Sequence, residues 1–189
     1  MVLTASRIYD KFLIGLADRV KLLDVSGTNP VWTRWVKAYF QDLGFQQGFQ
    51  VKLTNSEEGE REFLLDLCWL KETSEECLMG LALECEWEYG DAVLYDFRKL
   101  VHMKAFVKVV VCALSKDMMD STLDEMCRVI RSNPLRLMQE SYLVINLPDS
   151  ENSYKTGRLT VTGDEISSSG QRRALREESV DCKQSLPTL

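Results

Sequence analysis

The amino-acid sequence predicts one α/β domain in which a mixed β-sheet is flanked by helices. Two amphipathic helical segments come first, and three strand-like segments follow them closely enough to form an antiparallel meander. A helical segment then separates the third strand from the very apolar segment VKVVVCAL, residues 107–114. A helix between two adjacent strands implies a crossover, so this last pair is expected to be parallel and right-handed.

Both early helices have recognisable beginnings. The first is predicted over residues 4–23, where apolar side chains recur at helical spacing and Thr4 can cap the first turn. The segment SGTNP interrupts this pattern, and within it Asn29 suits the cap and Pro30 the first turn of a second helix. That helix is expected to run to about Leu43, with Gly44 ending it.

The meander is predicted from three segments, residues 49–53, 62–69 and 78–87. The polar sequences NSEEG and KETSEE separate them and are typical of turns. The third segment contains the continuous apolar run LAL, which favours a strand that is buried on both faces. It is therefore expected to lie in the centre of the sheet.

Besides the strand at residues 107–114, four elements are predicted after the meander. Residues 91–103 and 121–132 have helical apolar spacing, and residues 141–147 and 157–162 either form a late hairpin or add edge strands. From about Ile166 the chain becomes rich in serine and charge. We therefore expect one domain over residues 1–165 and a flexible charged C-terminal tail over residues 166–189, disordered or transiently helical.

Composition limits the classes of function. The chain has 189 residues, of which 45% are hydrophobic, enough for one core of ordinary size. No apolar stretch reaches the roughly 18 residues that a membrane span needs. The six cysteines show no CxxC spacing, which favours a reducing, cytoplasmic location. A single histidine makes a Ser-His-Asp triad or a His-rich zinc site a poor expectation, and the net charge of −6 supplies no general attraction to nucleic acid.

Three carboxylates stand in or beside apolar strand segments. Asp66 lies within FLLDLCW, while Glu84 and Glu86 lie in LALECEW. Residues i and i+2 of a strand point to the same face, so Glu84 and Glu86 are expected to project together, with Asp66 opposite them on the neighbouring strand. Clustered carboxylates raise one another's pKa unless a cation intervenes, and oxygen ligands of this kind suit Mg²⁺ or Mn²⁺. The pattern predicts a metal site made by Asp66, Glu84 and Glu86.

These residues and this order of elements resemble the PD-(D/E)XK nuclease superfamily, which includes restriction endonucleases. The resemblance covers residues 31–114 and implies a restriction-endonuclease-like core of helix, three-stranded meander, helix and strand. It implies that Asp66 and Glu84 are the two acidic ligands of Mg²⁺ and that the chain is a nuclease acting on nucleic acid, with DNA expected. A homodimer is frequent in that family, and no membrane partner is implied.

The motif lysine of the family is replaced here by Glu86, as in some restriction enzymes. Glu86 is therefore a candidate metal ligand or general base. In other members the lysine has moved to the helix after the third strand, which makes Lys99 the first candidate for an electrostatic stabiliser, ahead of Lys104 and Lys108. The only acidic residue that an early helix offers to the site is Asp42, at the end of the second helix, and it matches the family poorly.

Simpler interpretations remain open for the same residues. Alternating glutamates from Glu84 to Glu88 are also typical of a strand end that emerges into solvent, and Asp96 with Lys99 is also typical of a solvated helical ion pair. The alternative function is a non-catalytic interaction protein on a degenerate nuclease scaffold. A small-ligand-binding α/β domain is a third alternative.

Overall fold

The chain folds as a mixed β-sheet with two helices packed on each face. The computed structural model describes residues 3–20, 29–53, 65–74, 76–148 and 158–181. The helices in these ranges are Ala5–Val20 (α1), Asn29–Gln46 (α2), Gly90–His102 (α3) and Lys116–Ser132 (α4). The strands are Gln50–Leu53 (β1), Leu67–Glu72 (β2), Cys77–Glu86 (β3), Ala105–Cys112 (β4), Ser141–Asn146 (β5), Arg158–Ser167 (β6), Arg172–Ala174 (β7) and Glu178–Asp181 (β8). None of these helices is long and apolar enough to cross a bilayer.

The sheet is ordered β1-β2-β3-β4-β5-β6-β7, and β8 pairs with β6 beside this path. Strands β1, β2 and β3 form an antiparallel meander, whereas β4 is parallel to both β3 and β5. The later strand β6 returns antiparallel to β5. The predicted combination of a meander with a parallel crossover strand is therefore confirmed, as is the pairing of the two late strand segments.

Two cores explain why the central strands are apolar along their whole length. In β4, Val107, Val109 and Val111 pack against α1 and α2, while Val110 and Cys112 pack against α3 and α4. Strand side chains alternate between faces, so a strand covered on both sides needs apolar residues at nearly every position. This requirement accounts for the run VKVVVCAL and places β4 at the centre of the sheet.

Helix α2 continues past Gly44 to Gln46, so the prediction that Gly44 ends the helix is wrong. A side chain at Gly44 would approach the Nε1 atom of Trp69 to 2.6 Å, so this glycine permits the helix to pack closely on the sheet. The Nε1–H group of Trp69 in turn donates to the carbonyl of Phe40 at 2.9 Å. The chain reverses at Gly48, whose positive φ of 78° favours glycine.

Strand β2 begins at Leu67, so Asp66 lies just before the strand. The prediction that Asp66 lies within a strand is therefore wrong. The predicted strand residues 62–64 lie outside the described residues. Helix α4 begins at Lys116, earlier than the predicted residue 121, because Met119 and Thr122 extend its buried face towards the start. The predicted last residues of the first helix, 21–23, lie outside the described residues, and the remaining boundaries differ from the predicted ones by only a few residues.

Residues 166–181 form strands where a flexible tail was predicted. Ile166 is fully buried within β6, and Val180 of β8 is only 7% exposed. The charges of this segment pair across the sheet: Arg172 donates to Asp164 at 2.7 Å, and Arg173 forms an ion pair with Glu165. Charged side chains at a sheet edge thus serve as cross-strand partners here. Residues 182–189 of the predicted tail lie outside the described residues.

Candidate functional site

Glu84 is a buried carboxylate on the central strand β3. It is 3% exposed and lies beside Val110 of β4 in the parallel register. Because residues two apart share a face, Glu84 points to the same side as buried Ala82, the side covered by α3 and α4. A charged group in such a place is costly unless a counter-charge reaches it.

Lys99 of α3 supplies that counter-charge. Its Nζ atom lies 2.8 Å from Oε1 of Glu84 and 2.8 Å from Oδ1 of Asp96, one turn earlier on the same helix. The crossover from β3 to β4 carries α3 over this face of the sheet, which brings Lys99 above the strand. Lys99 is thus both the helical partner of Asp96 and the cation at Glu84.

The pair changes the acid–base properties of both groups. The pKa of Glu84 is raised to about 7: burial is the main cause, the contact with Lys99 opposes it, and the nearby charge of Asp66 adds to the rise. Burial acts to lower the pKa of Lys99, but its close contacts with the carboxylates of Asp96 and Glu84 outweigh it and the net direction is upward. Oε1 of Glu84 accepts no well-directed hydrogen bond, although it lies 2.8 Å from the ammonium.

Asp66 lies beside the same strand. Its Oδ2 atom accepts a hydrogen bond from the backbone N–H of Cys85 at 2.9 Å, and its Oδ1 atom lies 3.0 Å from Nζ of Lys37. The antiparallel register pairs Leu67 with Leu83, so the position before β2 falls next to Glu84. Asp66 and Glu84 are therefore neighbours in the register, and the charge of Asp66 acts to raise the pKa of Glu84.

Glu86 is differently engaged. Its Oε1 atom accepts hydrogen bonds from the backbone N–H groups of Trp87 at 2.7 Å and Glu88 at 2.8 Å. Burial raises the pKa of Glu86, and these two hydrogen bonds oppose the rise. The indole N–H of Trp87 donates to Oγ1 of Thr33 on α2 at 2.6 Å. One carboxylate oxygen of Glu86 thus accepts hydrogen bonds from the backbone N–H groups that follow the last residue of β3.

The weaker lysine candidates lie elsewhere. Lys104 is exposed after α3. Lys108 is fully buried, with Nζ 2.7 Å from Oε2 of Glu140 and 3.2 Å from the hydroxyl of Tyr142. It belongs to a separate buried ionic network, which the sequence analysis did not foresee. Asp42 is exposed on α2.

Lys37 is the residue at the site that sequence reasoning missed. It follows Thr33 by one helical turn on α2, and both side chains reach the sheet near the ends of β2 and β3. The signal in the sequence is a lysine directly after the apolar positions Trp35 and Val36 of α2. In the folded protein this lysine is only 17% exposed, because its aliphatic part lies along the apolar surface. Its partner could not have been named without the packing of α2 on the sheet.

Within the described ranges, no group of three histidine, cysteine, aspartate or glutamate residues is arranged to hold a metal ion. The structure instead offers two adjacent carboxylates, each with an ammonium at ion-pair distance. No family model, curated protein or solved structure matches this chain.

Proposed function

We propose that the chain is a Mg²⁺- or Mn²⁺-dependent phosphodiesterase that acts on nucleic acid, with DNA as the expected substrate. The observation that carries this proposal is the contact between Glu84 and Lys99, a carboxylate on β3 and an ammonium from the following helix. A carboxylate and a lysine held together next to a second acid are the groups that metal-assisted attack on a phosphodiester requires.

The order of elements supports the same proposal. Helix α2, the meander β1 to β3, helix α3 and the parallel strand β4 follow one another as in the core that the nuclease resemblance implies. The resemblance also implies that the lysine can come from the helix after the third strand, which is where Lys99 stands. These agreements favour a restriction-endonuclease-like core over an unrelated α/β domain.

The carboxylate oxygens of the site are of the chemical type that a hard divalent ion takes as ligands. Asp66 and Glu84 would hold it through carboxylate oxygens, and Oε1 of Glu84 is a buried oxygen without a well-directed hydrogen bond. Glu86 would contribute through the oxygen that does not accept from Trp87 and Glu88. When bound, Mg²⁺ supplies positive charge that stabilises the negative charge developing on a phosphodiester under attack.

The protein side chains then have distinct tasks. Lys99 is 29% exposed, so its ammonium can turn towards a phosphate while it stays near Glu84. It is proposed to stabilise charge on the reacting phosphate. Glu86, one strand repeat further on, is proposed to orient the attacking water or to accept its proton. Asp96 keeps Lys99 charged and aimed along the helix surface.

A cleavage assay tests this proposal. Labelled single- and double-stranded DNA would be incubated with Mn²⁺ and the wild-type chain, Glu84→Gln, or Glu72→Gln as a matched control. Glu72 is an exposed glutamate on β2. We expect wild type and the control to cut at equal rates and Glu84→Gln to lose about 100-fold or more. Equal cleavage by all three proteins, or none by wild type, would remove the nuclease proposal.

One observation favours a second function, that of a non-catalytic interaction protein. The ammonium of Lys37 neutralises Asp66, and an oxygen of Glu86 is taken up by backbone N–H groups. Carboxylates that are held by an ammonium and by backbone N–H groups, and not by a metal ion, would stabilise the fold without taking part in catalysis. On this alternative the wild-type chain neither binds Mn²⁺ nor cuts DNA, so the same assay separates the two functions.

A further inference from the structure

A cleft of about 600 Å³ lies at the ends of the parallel strands. The loops after β3, β4 and β5 each contribute to it, through Trp87, Leu114 and Pro148 respectively. Its lining begins one residue after Glu86, so the cleft is continuous with the candidate site along the chain. Its volume falls within the range of about 300–1,000 Å³ that is usual for small-molecule sites.

Tyr89 is the most exposed aromatic residue in this region. It is 79% exposed and lines both this cleft and an adjoining one of about 240 Å³, and Met118 is shared by the two. Its backbone is held at the start of α3, because the N–H groups of Ala92 and Val93 donate to its carbonyl. The tyrosine is thus fixed at its backbone, while its ring is open to solvent and free to stack on a flat partner.

The charges around the cleft favour contact with the base of a nucleotide over contact with its phosphate. Glu88 lines the larger cleft and Asp91 lines the smaller one, and both residues are exposed. Their carboxylates repel phosphate, but they accept hydrogen bonds from the amino groups of cytosine, adenine or guanine. Trp87, Leu114 and Met118 contribute apolar surface to a lining that is about half polar, and this apolar part suits the face of a nucleobase.

We infer that this cleft binds an unpaired nucleobase, stacked on Tyr89, next to the phosphate that the candidate site would cut. The inference rests on the proposed function and specifies its substrate as single-stranded or locally unpaired nucleic acid. Bases inside a duplex are stacked on their neighbours and cannot enter such a cleft unless they are flipped out. Aromatic stacking alone discriminates little between bases, so any preference for one base is expected to come from the carboxylates beside the cleft.

The test is a binding measurement that needs no hydrolysis. Fluorescence anisotropy of a labelled single-stranded DNA of about 15 nucleotides would be followed in EDTA with wild type, Tyr89→Ala and Tyr89→Phe. The matched control is Phe106→Ala, which removes an aromatic residue that is 46% exposed at the opposite end of the sheet. We expect Tyr89→Ala to weaken binding by about tenfold, since stacking contributes about 1–3 kcal/mol per base, and the other two variants to match wild type.

Two further comparisons sharpen this test. Binding of a blunt duplex should not change in Tyr89→Ala, and wild type should prefer an oligocytidine to an oligothymidine, a preference that Glu88→Gln should reduce. Equal single-strand affinity of wild type and Tyr89→Ala would overturn the inference, as would failure of wild type to bind any oligonucleotide. Tyr89-dependent binding without metal-dependent cleavage would support the cleft and remove the proposed hydrolysis. Cleavage that depends on Glu84 but not on Tyr89 would support the proposed hydrolysis and remove the base-binding cleft.

Discussion

Oε1 of Glu84 and Nζ of Lys99 lie 2.8 Å apart and join the central strand β3 to helix α3. The carboxylate is almost fully buried, whereas the lysine reaches it from a partly exposed position on the helix. This ion pair connects the fold to the proposed chemistry, because the helix that joins the parallel strands β3 and β4 also carries Lys99. The first two predictions follow from it.

Replacing Lys99 by methionine should abolish most of the cleavage. The apolar side chain keeps much of the packing of lysine but cannot stabilise charge on a phosphate, so we expect the rate to fall by about 100-fold or more. Single-turnover cleavage of labelled DNA with Mn²⁺ measures this effect. Lys104→Met is the matched control, since Lys104 is an exposed lysine just after the same helix. A similar loss in both variants would show that general positive charge, and not the contact with Glu84, is responsible.

Glu84 should make the metal-free protein less stable as the pH rises. Its pKa is about 7 in the folded chain and near 4.5 when unfolded, so the folded state binds the extra proton between these values. Raising the pH through that window removes this proton and lowers the free energy of unfolding by about 1–3 kcal/mol. Urea unfolding in EDTA, from about pH 5 to pH 8, measures the change. In Glu84→Gln this contribution should vanish, and an identical pH profile in both proteins would contradict the assigned burial.

Lys37 should compete with a metal ion for Asp66. Its Nζ atom lies 3.0 Å from Oδ1 of Asp66, an oxygen that the proposed site would use. We expect Lys37→Met to bind Mn²⁺ several-fold more tightly than wild type, because the competing ammonium is gone. Calorimetric titration gives the dissociation constants, and Lys37→Arg is the control that keeps the charge. Weaker binding in Lys37→Met would mean that Lys37 supports the site.

The buried network of Lys108, Glu140 and Tyr142 should be important for stability. Burial lowers the pKa of Lys108, and the carboxylate of Glu140 opposes that shift from 2.7 Å away. Glu140→Gln leaves the ammonium without a counter-charge and should cost about 3–5 kcal/mol. The free energy of unfolding in urea measures this cost. The double variant Lys108→Met with Glu140→Gln should recover most of the loss, and no recovery would show that the missing charge was not its cause.

The central elements could be predicted because their causes are local. The run VKVVVCAL and the segment LAL are apolar at successive positions because β4 and β3 are covered on both faces. Lys99 could be selected because the nuclease resemblance implies a lysine on the helix after the third strand, and because Lys99 lies off the apolar face of that helix. The antiparallel pairing of β2 with β3 could be predicted from the short polar turn between them, and it places the position before β2 next to Glu84.

The features that were missed depend on contacts between distant parts of the chain. Lys37 meets Asp66 only because α2 packs near the end of the meander, a placement that no local pattern encodes. Strands β7 and β8 are short edge strands rich in charge, so their composition is typical of a tail. Their stability comes from partners elsewhere, as when Arg172 joins Asp164 of β6 to Asp120 of α4.

The most direct test of the central claim is a calorimetric titration of the metal-free chain with Mn²⁺. The proposed site predicts saturable binding to wild type and to the control Glu72→Gln, and loss of that binding in Asp66→Asn and in Glu84→Gln. Because Glu84 has a pKa of about 7, binding should also strengthen as the pH rises through neutrality and the proton is released. The absence of saturable binding to wild type, or binding that both site variants retain, would contradict a metal site at Asp66 and Glu84.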